Sequence, residues 1–231
     1  MYQNTKVNTI KSMDNLSEFY EARKSVATFM ARLYNTRLTT TTGGNISVRA
    51  GKYFFCITPS GIDKANLTPE MIAVVSFDGV NLTPHLKLSM ESEMHRLILE
   101  QNPNVNAVVH AHPVFASMFT ASKPDSLTID TRLTAEAWYV LGQPAFAPYQ
   151  KMGTKQLAAE VAYHARQNSV VLMQNHGILA TGDSLVQAFD KIEILENAAK
   201  MTVFSKLLER SGFDFNELTD EQCNELVPGS R

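Results

Sequence analysis

Apolar residues recur along the chain with two periods, 3.6 and 2, and the changes between them mark out the elements. Residues 14–38 place Leu16, Phe19, Tyr20, Val26, Met30, Leu33 and Tyr34 at helical spacing, with Asp14 available as N-cap. "TTTTGGN" (39–45) breaks that pattern with small polar residues. "ISVR" and "KYFFCIT" follow as short strands joined by a turn at Ala50-Gly51. "TPSG" (58–61) is a second polar loop, and "IAVVSF" is a strand ending in the turn Asp78-Gly79. A helix is predicted from Ser89 as cap through "SMESEMHRLILEQN", on the apolar positions Met94, Leu97 and Ile98.

The second half continues the mixture. "NAVVHAH" reads as a strand, and Pro113 opens a short helix, "PVFASMFTAS". "TAEAWYVLG" is helical, "QPAFAPY" extended, and 154–168 an amphipathic helix. "SVVLMQ" and "GILAT" are strands flanking "NHG", and Asp183 is placed to cap a long helix through about residue 210. Strands and helices are interspersed without a long β-α-β repeat, a GxGxxG loop, a linker or an internal repeat. This order predicts one α/β domain over residues 1–231, with a central, mainly antiparallel sheet flanked by helices on both faces. The core is expected at about 14–211, and a polar tail, 212–231, either frays or docks on a neighbour.

Composition narrows the class of function. The chain has 44% hydrophobic and 19% charged residues, ordinary values for a globular protein. Its 21 Lys plus Arg against 23 Asp plus Glu leave no footprint for nucleic acid or an anionic membrane. The polar start "MYQNTKVNTIKSMDN" lacks the apolar run of a signal peptide, and no stretch has the apolar length of a bilayer span. Two distant cysteines, Cys56 and Cys223, form neither a CxxC pair nor a disulfide framework. A cytoplasmic protein is the expectation.

The chemistry gathers around histidine. His110 and His112 are i and i+2 in a predicted strand, so both imidazoles project from one face, close enough to share an ion. An isolated HxH fits one packed and one exposed imidazole equally well. His176, in the Asn-His-Gly turn between two strands, could close a three-histidine site, with Gly177 permitting the backbone that presents it. "SMESEMH" adds a carboxylate: Glu91 and His95 share a helical face at i,i+4, Glu93 points elsewhere, and His95 reads as a supporting or packing residue. "GGNIS", "TPSG" and the Ser89 hydroxyl supply small residues, backbone N–H groups and hydroxyls, the makings of an anion cradle without cations in the loops themselves.

In order, "GGNIS" (43–47), "TPSG" (58–61), "SMESEMH" (89–95), "HAHP" (110–113) and "NHG" (175–177) resemble the class II aldolase/adducin family, especially its L-fuculose-1-phosphate aldolase branch. The resemblance runs from the first helix through the long helix after Asp183. It implies zinc held by His110, His112 and His176, and a Glu91 carboxylate that ligates zinc at rest and acts as acid/base during turnover. It places Gly44, Asn45, Ser60, Gly61 and Ser89 around the substrate phosphate and adjoining oxygens, with Asn45 helping to stabilise negative charge. The implied activity is retro-aldol cleavage of a phosphorylated ketose to dihydroxyacetone phosphate and an aldehyde. No Schiff-base lysine is required, and none of the five motifs contains a lysine. The implied assembly is a C4 homotetramer with sites at subunit boundaries.

The chain departs from that branch at three points. Met90 stands where the branch has a second serine, leaving only a backbone N–H for the phosphate; Thr134 stands at a substrate-contacting tyrosine; and no tyrosine follows Tyr163. An L-ribulose-5-phosphate 4-epimerase is the alternative within the fold, although that branch carries aspartate where this chain has Glu91. A dehydratase or decarboxylase could use the same enolate chemistry. An adducin-like interaction domain would have no need of the three histidines together with Glu91; a regulatory metal-binding module is the further rival, one that would hold zinc without cleaving any sugar phosphate.

Overall fold

A computed structural model describes residues 16–123 and 126–226. Seven strands, β1 (Asn45–Ala50), β2 (Phe54–Ile57), β3 (Ala73–Ser76), β4 (Ala107–Ala111), β5 (Ala145–Ala147), β6 (Val170–Met173) and β7 (Gly177–Gly182), form one sheet. Their order is β3-β2-β1-β4-β7-β6-β5. Every pairing is antiparallel except β5 with β6, so the mainly antiparallel α/β sheet expected from the sequence is the one observed. Seven helices accompany it among the described residues: α1 (Tyr20–Asn35), α2 (Ser92–Gln101), α3 (Val114–Thr120), α4 (Ala135–Leu141), α5 (Lys155–His164), α6 (Leu185–Glu209) and α7 (Asp220–Glu225).

Strand alternation sorts the core into two layers. Ile46 and Val48 of β1, Val109 and Ala111 of β4, and Ile178 and Ala180 of β7 pack with Val26, Met30, Leu33, Ile192 and Leu195 of α1 and α6. Phe55 and Ile57 of β2, Val108 of β4 and Leu179 of β7 face the other way, onto Met94 and Ile98 of α2 and Leu157 and Val161 of α5. Helices therefore cover both faces. Asn45, Ser47 and His110 occupy alternate positions of the second set, so the pleat turns them toward the α2 side.

Several boundaries differ from the sequence expectation for local reasons. The first helix ends at Asn35 rather than 38, because Arg37 takes a left-handed φ of 62° and the Leu38 N–H turns back to the Leu33 carbonyl. Its proposed cap, Asp14, lies outside the described residues. The strand "KYFFCIT" is shortened to Phe54–Ile57, since Gly51, at φ 76°, and its two successors form the turn. Helix α2 starts at Ser92, three residues after Ser89, whose hydroxyl instead accepts the Glu91 N–H in a tight turn. Ser184, not Asp183, caps α6: its hydroxyl accepts the Gln187 N–H. In the tail, α7 docks on its own chain, through Trp138 Nε1 to the Cys223 carbonyl at 3.0 Å and an Arg132–Asp220 ion pair at 2.7 Å. No helix among the described residues is long and apolar enough to cross a membrane.

Candidate active site

The register of β1, β4 and β7 builds the floor of the site. Asn45 pairs with His110, and His110 with Leu179. His112 follows directly after β4, held by its N–H to the Leu38 carbonyl at 3.0 Å. Behind it, Pro113 leads into α3, whose unpaired N–H groups at Phe115 and Ala116 are taken by the Glu196 carboxylate of α6 at 3.0 and 2.8 Å. His176 sits in the β6–β7 turn. Asn175, not Gly177, adopts the left-handed conformation there, with φ 54°. Gly177 is needed for a different reason: a Cβ on it would lie 2.4 Å from His112 Cδ2 and 2.7 Å from the Ala111 carbonyl oxygen. The bare glycine is what lets the His176 turn close over the His110–His112 pair.

One nitrogen from each of His110, His112 and His176 falls within 4.8 Å of the others, the spacing from which three imidazoles can converge on one ion. The Glu91 carboxylate joins them, Oε1 at 2.9 Å from His176 Nε2 and Oε2 at 3.3 Å from His110 Nε2. His110 Nδ1 lies 2.8 Å from the Ile178 carbonyl oxygen, which can only accept, so this nitrogen carries the proton. Its Nε2 is then a lone pair with no hydrogen-bond partner, facing a carboxylate oxygen. Two electron-rich atoms in that position call for a cation between or beside them. His176 Nδ1 is likewise buried and unpartnered. The donor set, three imidazole nitrogens and a carboxylate, suits zinc or a neighbouring divalent transition metal.

Electrostatics favour the ligand-competent forms. Burial pushes His112 down to about 3 and also lowers His110, so both are neutral at pH 7. Burial alone would raise the Glu91 carboxyl, but the imidazoles around it and the Asn45 amide outweigh burial and hold it well below the usual carboxylate range.

Asn45 is oriented by a chain of hydrogen bonds. An ionised carboxylate only accepts, so the amide turns Nδ2 to Glu91 Oε2 at 2.7 Å and to Ser89 Oγ at 3.1 Å. Its Oδ1 therefore meets His95 Nε2, which must be protonated, and His95 Nδ1 accepts from Ser47 Oγ at 2.7 Å. His95, completely buried, is thus a supporting residue with both nitrogens engaged rather than a packing residue. Glu93 points away, as expected, and pairs with Arg96.

A cleft opens over this floor, lined by Gly44, Asn45, Ser60, Ser89, Met90, Glu91, His112 and His176 among others. His110 lies beneath it, fully buried. Gly61 does not line it; at φ 72°, with open space around its Cβ position, it makes the turn that presents Ser60. Gly44 has a positive φ of 64°, and a Cβ there would sit 2.8 Å from the His110 carbonyl oxygen. Met90 is exposed at the rim, and Thr134 caps α4 by accepting the Ala137 N–H. Five lining residues were not named from the sequence: Thr42, Gly43 and Pro59, which lie in the polar loops already singled out, and Lys64 and Met152, which belong to no motif and reach the cleft only in the folded chain.

Residues 24–203 match the sequence profile of the Class II Aldolase and Adducin N-terminal domain. The chain belongs to the class II aldolase and adducin family. Among its relatives, the L-fuculose phosphate aldolase of Methanocaldococcus jannaschii is 29% identical over 189 residues, covering 81% of this chain and 99% of the relative. The 3-oxo-tetronate 4-phosphate decarboxylase of Haemophilus influenzae is also 29% identical, over 209 residues, with 89% and 96% covered. A solved L-fuculose 1-phosphate aldolase superposes with a TM-score of 0.77 at 28% identity, over 89% of this chain and 94% of that one. An enzyme of sugar-phosphate metabolism with a possible divalent-metal site is the reading common to these class II aldolase relatives and the histidine triad.

Proposed function

We propose that this chain is a zinc-dependent lyase that cleaves a phosphorylated ketose, of the L-fuculose-1-phosphate kind, into dihydroxyacetone phosphate and an aldehyde. The observation that carries the proposal is the unpartnered His110 Nε2 facing the Glu91 carboxylate within reach of His112 and His176. His110, His112, His176 and the Glu91 carboxylate would hold the ion. When bound, zinc supplies Lewis-acid polarisation of the substrate carbonyl and compensates negative charge developing there.

The chain's own groups would do the rest. Glu91 is buried and ionised, placed to take or return the proton at the carbon left electron-rich when the C–C bond breaks. Asn45 offers an amide N–H toward the same charge, its orientation set beforehand by His95. Gly44, the Ser60 and Ser89 hydroxyls and the Met90 backbone N–H form the cradle for phosphate, with Gly61 shaping its turn. Homotetramer formation, implied by the resemblance, has support in the exposed apolar side chains Met201, Phe204 and Leu208 along α6.

A decarboxylase of a phosphorylated 3-oxo acid is the second reading, favoured by a relative of that name at the same identity. Zinc-loaded protein and a Glu91→Gln variant should be incubated with L-fuculose 1-phosphate, L-ribulose 5-phosphate and 3-oxo-tetronate 4-phosphate. Release of dihydroxyacetone phosphate by the parent, falling at least about 100-fold in the variant, is expected for an aldolase using this carboxylate. Release of CO₂ alone would move the chain to the second reading, and epimerisation without cleavage to a pentulose-phosphate epimerase.

A further inference from the structure

Lys64 is the one lysine or arginine among the residues lining the cleft, and it is 1% exposed. It joins two of the cradle loops. Its backbone N–H donates to the Thr41 carbonyl at 3.0 Å, in the 39–45 loop, and its Nζ donates to the Pro59 carbonyl at 2.7 Å, in the "TPSG" loop. The 58–61 loop is in turn tied toward Ser89, through the Ser60 N–H to the Lys87 carbonyl at 2.9 Å. Lys64 thus ties the first two loops together, and the second of them is tied to the segment before Ser89.

Its charge has no counter-ion among the described residues. Among the described residues no carboxylate forms an ion pair with Lys64, and burial lowers its ammonium to about 8 with no acidic neighbour opposing the shift. Lys191 makes a useful contrast. It is also buried and bonded to a backbone carbonyl, that of Thr181, but Asp183 and Asp190 lie near enough to oppose part of its desolvation. A carbonyl clip alone would be served by an uncharged donor, whereas an ammonium offers three N–H groups, of which Pro59 takes one. A buried cation without a partner is costly unless an anion completes it. In the first loop, Thr39 Oγ1 is likewise buried and without a hydrogen-bond partner, 2.8 Å from the position of a Cβ on Gly44.

We propose that Lys64 is the cationic anchor of the cleft, holding the phosphate of the substrate between the 39–45 and 58–61 loops and selecting phosphorylated over neutral sugars. This rests on the reading that the cleft takes a sugar phosphate. It assigns the selecting charge to a residue outside every motif.

The test is direct binding of inorganic phosphate, followed by calorimetry, to the zinc-loaded parent and to Lys64→Arg, Lys64→Gln and Lys64→Met. Zinc affinity, measured by competition with a chelator, checks that each variant keeps the histidine site. Gln retains a donor for the Pro59 carbonyl without the charge, Arg retains the charge, and Met retains neither. The expected result is phosphate binding weakened about 10- to 100-fold in both Gln and Met, largely restored in Arg, with zinc affinity unchanged. Gln binding phosphate as the parent does would overturn the proposal, reducing Lys64 to a loop clip. So would a borohydride-trapped adduct of a ketose phosphate on Lys64, which would make it a nucleophile. A parent that binds no phosphate yet cleaves an unphosphorylated ketose would sink the sugar-phosphate reading itself, a result distinct from an unaffected Lys64→Gln.

Discussion

His95 couples the stability of the protein to pH in a way that can be isolated. The ring is fully buried, its Nε2–H committed to Asn45 Oδ1 and its Nδ1 to the Ser47 hydroxyl. Protonation would put a second N–H against Ser47 and an unsolvated charge into the core; burial accordingly lowers the imidazole from 6.5 to about 3, with a further push from His110 and opposition from Glu91. In the unfolded chain the ring titrates near its ordinary value. Below pH 6.5 the unfolded state therefore binds a proton that the folded state does not. The neutral ring's contribution is fully present above that pH and is lost as pH falls toward 3. Between pH 7.5 and 4.5 the loss works out at about 3 kcal/mol, at about 1.4 kcal/mol per pH unit below 6.5. Urea unfolding of the chelator-treated protein at the two pH values, for the parent and for His95→Gln, measures it. Gln can keep both hydrogen bonds and cannot be charged. The other buried histidines titrate in both proteins, so the parent should lose about 3 kcal/mol more than the variant. Losses equal within about 0.5 kcal/mol would refute the assignment of a neutral, doubly bonded His95.

Two further outcomes follow from the geometry of the histidines. Gly177→Ala should destabilise the fold by about 1–3 kcal/mol, because its methyl must displace the His112 ring or the Ala111 carbonyl, and should weaken zinc binding; thermal melts and competition with a chelating dye would measure both. Chelation should lower the melting temperature of zinc-loaded protein, by the equivalent of about 4 kcal/mol where free zinc had stood at 1,000 times its dissociation constant; an unchanged melting curve would argue against a metal held by His110, His112 and His176.

The parts of the site legible in the sequence are those fixed by short-range geometry. His110 and His112 share a face because a strand repeats every two residues, and the "NHG" turn between two apolar runs announces a side chain delivered at a strand end. Element order was equally readable from apolar spacing. The sequence does not show that β1 lies between β2 and β4, which sets Asn45 against His110 across more than sixty residues. Nor does it show what each nitrogen of His95 bonds, since both partners come from β1. Asp183 and Ser184 are both good cap residues, and only the backbone chooses between them. Gly177 was picked out for conformational freedom and is required for the absence of a side chain, a fact that depends on His112 being its neighbour.

The same reasoning locates what decides between the two reactions. Loss of an aldehyde and loss of CO₂ both leave an electron pair on a carbon next to a carbonyl, and both end with a proton delivered to that carbon. The histidines, Glu91 and Asn45 serve either reaction, so substitutions among them change the rate of whichever one occurs. The reactions differ in the departing group. An aldehyde leaves from a hydroxyl that must lose its proton, and this requires an acceptor within hydrogen-bond reach. A carboxylate leaves without proton transfer and gains from an environment that solvates it poorly. That difference falls on the lining residues outside the cradle loops, among them the exposed Met152. Polar replacement of Met152 should therefore alter the choice of substrate while leaving zinc affinity and phosphate binding near those of the parent, because neither the histidine site nor the cradle uses its side chain.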